Sequence, residues 1–300
     1  MPGRLRSRRA ADSERLALYD GVAQEAADAL IRRYSTSFGL ATRLLPAGQR
    51  DHIRTVYALV RLADEVVDGA TQEAGTDRAA ARVLLDDLEA QTDAAIASGY
   101  STNVLVHGFA ATARATAFGS ELTAPFFAAM RMDLEVTEHD EASLRRYVYG
   151  SAEVIGLMCL RVFLQDEPPA ERRARYQELA PGAQALGAAF QKVNFLRDLA
   201  DDYEVLGRRY LDVDPEHLTE QAKDAVLADI DADLHVAALA LPRLPAPSRR
   251  AVSVAYALFA ELAARLSATP APQVLRTRVR VPGPTKARLA VRAVLHSGGR

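Results

Sequence analysis

The sequence predicts an all-α protein, a single-domain helical bundle around a central cavity. Apolar residues recur with helical spacing from about residue 13 to the region of Pro270. Repeated Val/Ile/Thr-rich runs with period two are missing. Aromatic content is 6%, Trp is absent, and Ala, Leu and Arg are abundant, a mix that favours helices over strands.

Taken in order, residues 1–12 are basic through Arg4, Arg6, Arg8 and Arg9 and are expected to be disordered. No apolar segment follows them, so they do not form a secretory signal. Helical domain is expected over 13–268. Pro at starts, Gly at ends and Ser, Thr or Asp at N-caps divide it into helices over 46–69, 76–99, 103–119, 122–136, 141–164, 181–206, 219–241 and 248–268. In residues 274–281, Arg276, Arg278 and Arg280 alternate with other residues, which suggests one extended segment. Residues 269–300 are expected to dock on the same domain, with a short basic amphipathic helix over 286–295 carrying Leu289 and Val291. No linker longer than a few residues interrupts the chain before 268, so one domain is expected.

Composition narrows the function. The chain has 300 residues, 49% hydrophobic and 25% charged, which fits a globular protein with a sizeable core. A formal net charge of −2 and the lack of a binding motif argue against a nucleic-acid partner. Cys159 is the only cysteine, which excludes an internal disulfide and a cysteine-based zinc site. The six histidines show no ligand spacing and read as surface or capping residues. No run of about 18 uncharged apolar residues exists, so no transmembrane helix is expected and the cytoplasm is the expected compartment. From residue 262 onward there is no acidic residue. That basic end reads either as a solvated docked helix or as a peripheral contact with the anionic inner face of a membrane. Oligomeric state leaves no mark in the sequence.

Two Asp-x-x-x-Asp pairs carry the chemistry, Asp64/Asp68 and Asp198/Asp202. A spacing of four puts both carboxylates on one helix face. Tyr57 and Arg61 share the first stripe, and Gln191 and Asn194 share the second, with Arg197 beside it. Such like-charge stripes in apolar helices call for a cation, and a hard divalent ion with oxygen ligands fits. Carboxylates, amides and Arg together suit Mg²⁺ plus a diphosphate, since Arg grips phosphate oxygens through its planar fork. The two stripes are then expected to be halves of one site across a cavity between helices.

Several blocks in this order resemble the squalene/phytoene synthase family of head-to-head prenyltransferases. They are Tyr34-Ser35-Thr36-Ser37-Phe38, the stripe from Tyr57 to Asp68, Met130 to Leu134 followed by Tyr147 and Gly156-Leu157-Met158, and Gln191 to Asp202 followed by Gly207-Arg208-Arg209-Tyr210-Leu211. They span residues 34 to 211. The resemblance implies the helical isoprenoid synthase fold and condensation of two geranylgeranyl diphosphates to phytoene. It assigns Asp64, Asp68, Asn194, Asp198 and Asp202 to the metal, expected to be Mg²⁺ with Mn²⁺ as an alternative. Substrate contacts are expected from Ser35, Ser37, Phe38, Arg61, Arg131, Gln191, Asn194, Arg197, Arg208 and Tyr210. Tyr57 and Tyr147 are cation stabilisers or proton-transfer groups, or else core hydrogen bonders. Arg61 either meets phosphate or pairs with Asp64 or Glu65, and Arg131 has a surface role as its alternative. Phe38, Phe190 and Phe195 line an apolar pocket or pack the core. NADPH is not expected; no G-x-G-x-x-G element is present, a slight argument because the family's reductive members need not carry one. Alternatives are a squalene or dehydrosqualene synthase using farnesyl diphosphate, a terpene cyclase, and a non-enzymatic helical interaction protein.

Overall fold

A computed structural model describes the backbone of residues 3–35 and 37–297 and the side chains of 14–35 and 38–293. Helix α1 is Gly3–Tyr34, α2 Ser37–Thr42, α3 Ala47–Val67, α4 Ala70–Glu73 and α5 Arg78–Ser98. Next come α6 Val104–Thr116, α7 Ser120–Glu135, α8 Glu141–Val148 and, after a π-helical turn Tyr149–Glu153, α9 Val154–Phe163. The chain closes with α10 Pro169–Glu204, α11 Glu220–Ala240, α12 Ala246–Ala268, α13 Ala271–Val274 and α14 Gly283–Ser297. The described residues contain no strand, only an isolated bridge between Glu138 and Arg209.

Local chemistry sets the ends. Asp77 accepts from Ala80 N–H at 2.8 Å at the start of α5, and Asn103 accepts from Leu105 N–H at 3.2 Å at the start of α6. Asp140 caps α8 through Ser143 N–H at 2.7 Å, and Thr219 caps α11 through Ala222 N–H at 3.2 Å. Each such cap contributes about 1 kcal/mol.

Several boundaries differ from the sequence expectation, among them the helix expected over 141–164, which a π-helical turn divides. Helix α1 begins at Gly3, inside the basic segment expected to be disordered. Helix α10 begins at Pro169, with Pro181 inside it rather than at its start. Proline at the first turn is favourable, and the Ala-, Glu- and Arg-rich stretch before Pro181 is a strong helix former. Residues 278–282 carry no regular structure, and Val274 ends α13 instead of opening an extended segment.

Phe109, Phe126 and Phe127 are fully buried at the centre of the main apolar cluster. Helix α9 and the π-helical turn pack on both α7 and α10, while α3 packs on α7 and α9. Helices α3 and α10 are thereby braced around a common middle layer. Helix α12 is the one helix among the described residues long and apolar enough to cross a membrane by length and composition. Its Val254 and Leu258 are buried in a cluster that includes Leu289, Ala290 and Ala293 of α14. The basic C-terminal helix thus lies on α12.

Candidate active site

All four aspartates line one cleft of about 310 Å³. Asp64 and Asp68 come from α3, Asp198 and Asp202 from α10. Arg61, Tyr147, Gln191, Asn194, Arg197 and Tyr210 line the same cleft. The two stripes predicted from spacing are therefore walls of one site.

Charge is poorly balanced there. Burial, with the charge of Asp68 added, pushes the Asp64 carboxyl up to about 7. Burial, with Asp198 and Asp68 nearby, pushes Asp202 to about 7 as well. Neither forms an ion pair among the described residues. Asp68 is raised by burial but pairs with Arg208, and Asp198 accepts from Arg197 Nε at 2.9 Å. No three His, Cys, Asp or Glu side chains among the described residues converge into a protein-only metal cage. Mg²⁺ asks for less than a cage. It binds through one or two carboxylates and takes its remaining oxygens from water and substrate phosphate. The donor set fits such an ion, and a cation would offset the charge that raises Asp64 and Asp202.

One wall of the cleft is a polar network around Asp133, the member to which the sequence reading gave no role. Asp133 accepts from Tyr147 Oη at 2.9 Å and from Tyr210 Oη at 2.7 Å. Arg208 is 4% exposed and reaches Asp68, Asp133 at 3.3 Å, Tyr210 Oη at 3.1 Å and the Val67 carbonyl at 3.3 Å. Gly207 makes this approach possible: with φ +66° it turns the chain sharply after α10, a conformation that favours glycine. Burial, with the charge of Asp68, pushes Asp133 up to about 8. Tyr147 and Tyr210 are therefore hydrogen-bonded site walls, and Arg208 is a bridge beneath Asp68 rather than part of the cleft lining. His139 stacks on Tyr210 at 5.5 Å and His107 is 1% exposed, so these two of the six histidines expected at the surface or at caps are buried.

Other candidates fall elsewhere. Arg131 is a correction: its guanidinium binds Glu89 and Asp86 of α5, turned away from the cleft. Asp133, two positions on, is the residue α7 contributes. Arg61 pairs with Glu65 and lies over the Tyr34 ring at 4.3 Å while still lining the cleft. Tyr57 is absent from the cleft lining and stacks on Phe38 at 5.6 Å. Ser35 Oγ accepts from Phe38 N–H at 3.2 Å, an N-cap role for α2. Thr36 and the Ser37 side chain lie outside the described residues. Lys192, off the second stripe, binds Asp229 at 2.6 Å and Asp233 at 2.7 Å on α11.

An apolar cavity of about 250 Å³ borders the cleft, lined by Phe38, Ile155, Phe163, Leu179 and Phe190 among others. Val60, Ser151 and Gln191 line both spaces and form a collar between them. Phe38 and Phe190 serve this cavity, whereas Phe195 lies in the polar cleft and stacks on Tyr210 at 4.5 Å. Cys159 also lines the cavity, and burial pushes its thiol up to about 12, so it stays protonated. One further cation reaches the site from the C-terminal segment. Arg278 Nε lies 3.0 Å from Asp198 Oδ1, and Nη2 lies 3.1 Å from Oδ2.

Residues 31–285 match the squalene/phytoene synthase family. The chain belongs to that family. It is similar to a 15-cis-phytoene synthase of Paracoccus sp. (strain N81106 / MBIC 01143), 31% identical over 76% of each chain. It is 30% identical to a phytoene synthase of Mycobacterium tuberculosis (strain ATCC 25618 / H37Rv) over 61% of this chain and 55% of that one. In structure it is similar to a dehydrosqualene synthase crystallised with a ligand, with TM-score 0.69, 19% identity and coverage of 92% of this chain and 97% of that one. A squalene synthase of Alicyclobacillus acidocaldarius gives TM-score 0.67, 20% identity and coverage of 83% and 95%. These structures share the helical fold of the family.

Proposed function

We propose that this protein is a magnesium-dependent phytoene synthase, joining two geranylgeranyl diphosphates head to head and releasing two diphosphates. The observation that carries this is the collar: an acidic cleft and a greasy cavity meet at Val60, Ser151 and Gln191, which line both. Only an amphipathic substrate fills both, with an anionic head among the Asp stripes and an apolar chain beyond. The 31% identity to a Paracoccus protein named 15-cis-phytoene synthase supports phytoene as the product.

Asp64, Asp68, Asn194, Asp198 and Asp202 would hold the metal, with Mn²⁺ as an alternative. Held there, the ion would supply positive charge to offset that of a departing diphosphate. Arg197 and Arg278 place two guanidinium groups at the same wall, matched to phosphate oxygens. The apolar cavity keeps water from the allylic cation left behind. The double bond of the second substrate attacks that cation, and proton loss closes a cyclopropyl-carbinyl diphosphate. Departure of the second diphosphate, rearrangement and another proton loss give the linear hydrocarbon. The sequence consumes no hydride, so NADPH has no part in it.

We also place the enzyme in the cytoplasm, with α14 as its peripheral contact to an anionic membrane. Arg288 and Val291 are exposed on that helix, and the product is wholly apolar.

Incubation with geranylgeranyl or farnesyl diphosphate and Mg²⁺, with products read by chromatography and mass, tests the reading. Phytoene is expected. Dehydrosqualene from farnesyl diphosphate, or squalene from it once NADPH is added as hydride donor, would reassign the substrate, and no hydrocarbon from either, with or without NADPH, would reject the function.

A further inference from the structure

Helix α8 does not run straight into α9. Residues Tyr149–Glu153 form a π-helical turn, a rare conformation that recurs at functional sites. Its neighbours clamp it from two sides. A Cβ at Gly150 would lie 2.3 Å from the Pro125 carbonyl oxygen of α7, and one at Gly187 of α10 would lie 2.5 Å from the Ala152 carbonyl oxygen. Glycine at both positions lets the backbones touch and fixes the turn.

Ser151 sits in the middle of this turn and belongs to the collar between cleft and cavity. Its Oγ is buried and has no hydrogen-bond partner among the described residues. An unmet buried hydroxyl costs about 1–3 kcal/mol. Val60 offers no polar group, so Ser151 and Gln191 supply the collar's polar side chains.

We propose that Ser151 is a catalytic hydrogen-bond donor to the departing diphosphate, an assignment that rests on the prenyl diphosphate reading above. With its head in the cleft and its chain in the cavity, such a substrate has its C1–O bond at the collar. That bond breaks heterolytically: the electron pair goes to the diphosphate oxygen and the allylic carbon becomes the cation. Ser151 Oγ–H donates to that oxygen and keeps its proton, so no proton changes hands in the step. Negative charge grows on the oxygen as the bond breaks, and the hydrogen bond is stronger in the transition state than in the ground state.

Ser151→Val and Ser151→Thr test this, because both are β-branched and differ in the hydroxyl. Two readouts are taken with Mg²⁺ present: kcat and KM with geranylgeranyl and farnesyl diphosphates, and calorimetric affinity for inorganic diphosphate. Ser151→Val is expected to lower kcat about tenfold or more with KM changed less than about threefold, while Ser151→Thr stays within about threefold of wild type. Diphosphate affinity is expected to fall for Val relative to Thr. Equal kcat and equal diphosphate affinity for Val and Thr overturn the assignment. If wild type turns over neither substrate, the function fails separately, and the diphosphate titration alone decides Ser151: a Val–Thr difference upholds the donor, equality overturns it. Should the branched variants misfold, Ser151→Ala is compared with wild type by the same readouts, and wild-type values overturn the assignment.

Discussion

Arg278 grips Asp198 across eighty residues of chain, with Nε 3.0 Å from Oδ1 and Nη2 3.1 Å from Oδ2. The contact ties the irregular segment after α13 to the second aspartate wall. Asp198 also holds Arg197, so two guanidinium groups converge on one carboxylate. A diphosphate brought to this wall competes for both.

Arg278→Ala is expected to reduce kcat/KM about tenfold, mainly through KM, a loss of about 1.4 kcal/mol of substrate interaction. The side chain is 47% exposed, so the melting temperature changes little. Steady-state kinetics beside a thermal melt separate these effects. An unchanged KM removes Arg278 from the substrate contacts.

Asp133 joins α7 to α8 through Tyr147 and to the turn after α10 through Tyr210 and Arg208. Asp133→Ala leaves two buried hydroxyls short of their acceptor and takes one carboxylate from Arg208. A loss of about 3 kcal/mol in unfolding free energy is expected, read by chemical denaturation. Arg131→Ala, which touches only the outer carboxylates of α5, is expected to cost less than about 1 kcal/mol in the same assay.

Metal-free stability carries a pH signature. Burial and neighbouring aspartates raise Asp64 and Asp202 to about 7, above the ordinary 3.8. Between those values the folded state binds more protons than the unfolded chain, so their contribution is present at low pH and lost as pH rises toward 7. In chelator, melts from pH 5 to pH 8 are expected to show wild type losing stability relative to Asp64→Asn, at most about 1.4 kcal/mol per pH unit. Parallel pH curves for the two proteins contradict the charge imbalance assigned to the cleft.

Much of the site was legible because helical spacing is local. Asp64, Asp68, Asp198 and Asp202 share faces by sequence arithmetic, and helix ends at Asp77, Asn103 and Thr219 follow from capping chemistry. What escaped depends on distant contacts. Arg131 and Asp133 lie on the same helix, and only the packing of α7 against α5 decides which one faces inward. Arg278 meets Asp198 through an irregular segment, and the alternation of Arg276, Arg278 and Arg280 does not say which carboxylate any of them meets. The π-helical turn interrupts residues that read as one continuous helix, because its cause is contact with α7 and α10. Pro181 misled for a related reason, since a breaker inside a long packed helix resembles a start.

The central claim is that α3 and α10 bind one diphosphate head between them with a divalent ion. Calorimetric titration with a non-ionising thio-diphosphate analogue of geranylgeranyl diphosphate measures this most directly. Binding is expected with Mg²⁺, is expected to vanish in chelator, and is expected to weaken about tenfold or more in folded Asp64→Ala and Asp198→Ala proteins. Equal affinity in chelator, or wild-type affinity in folded Asp64→Ala and Asp198→Ala proteins, would contradict it.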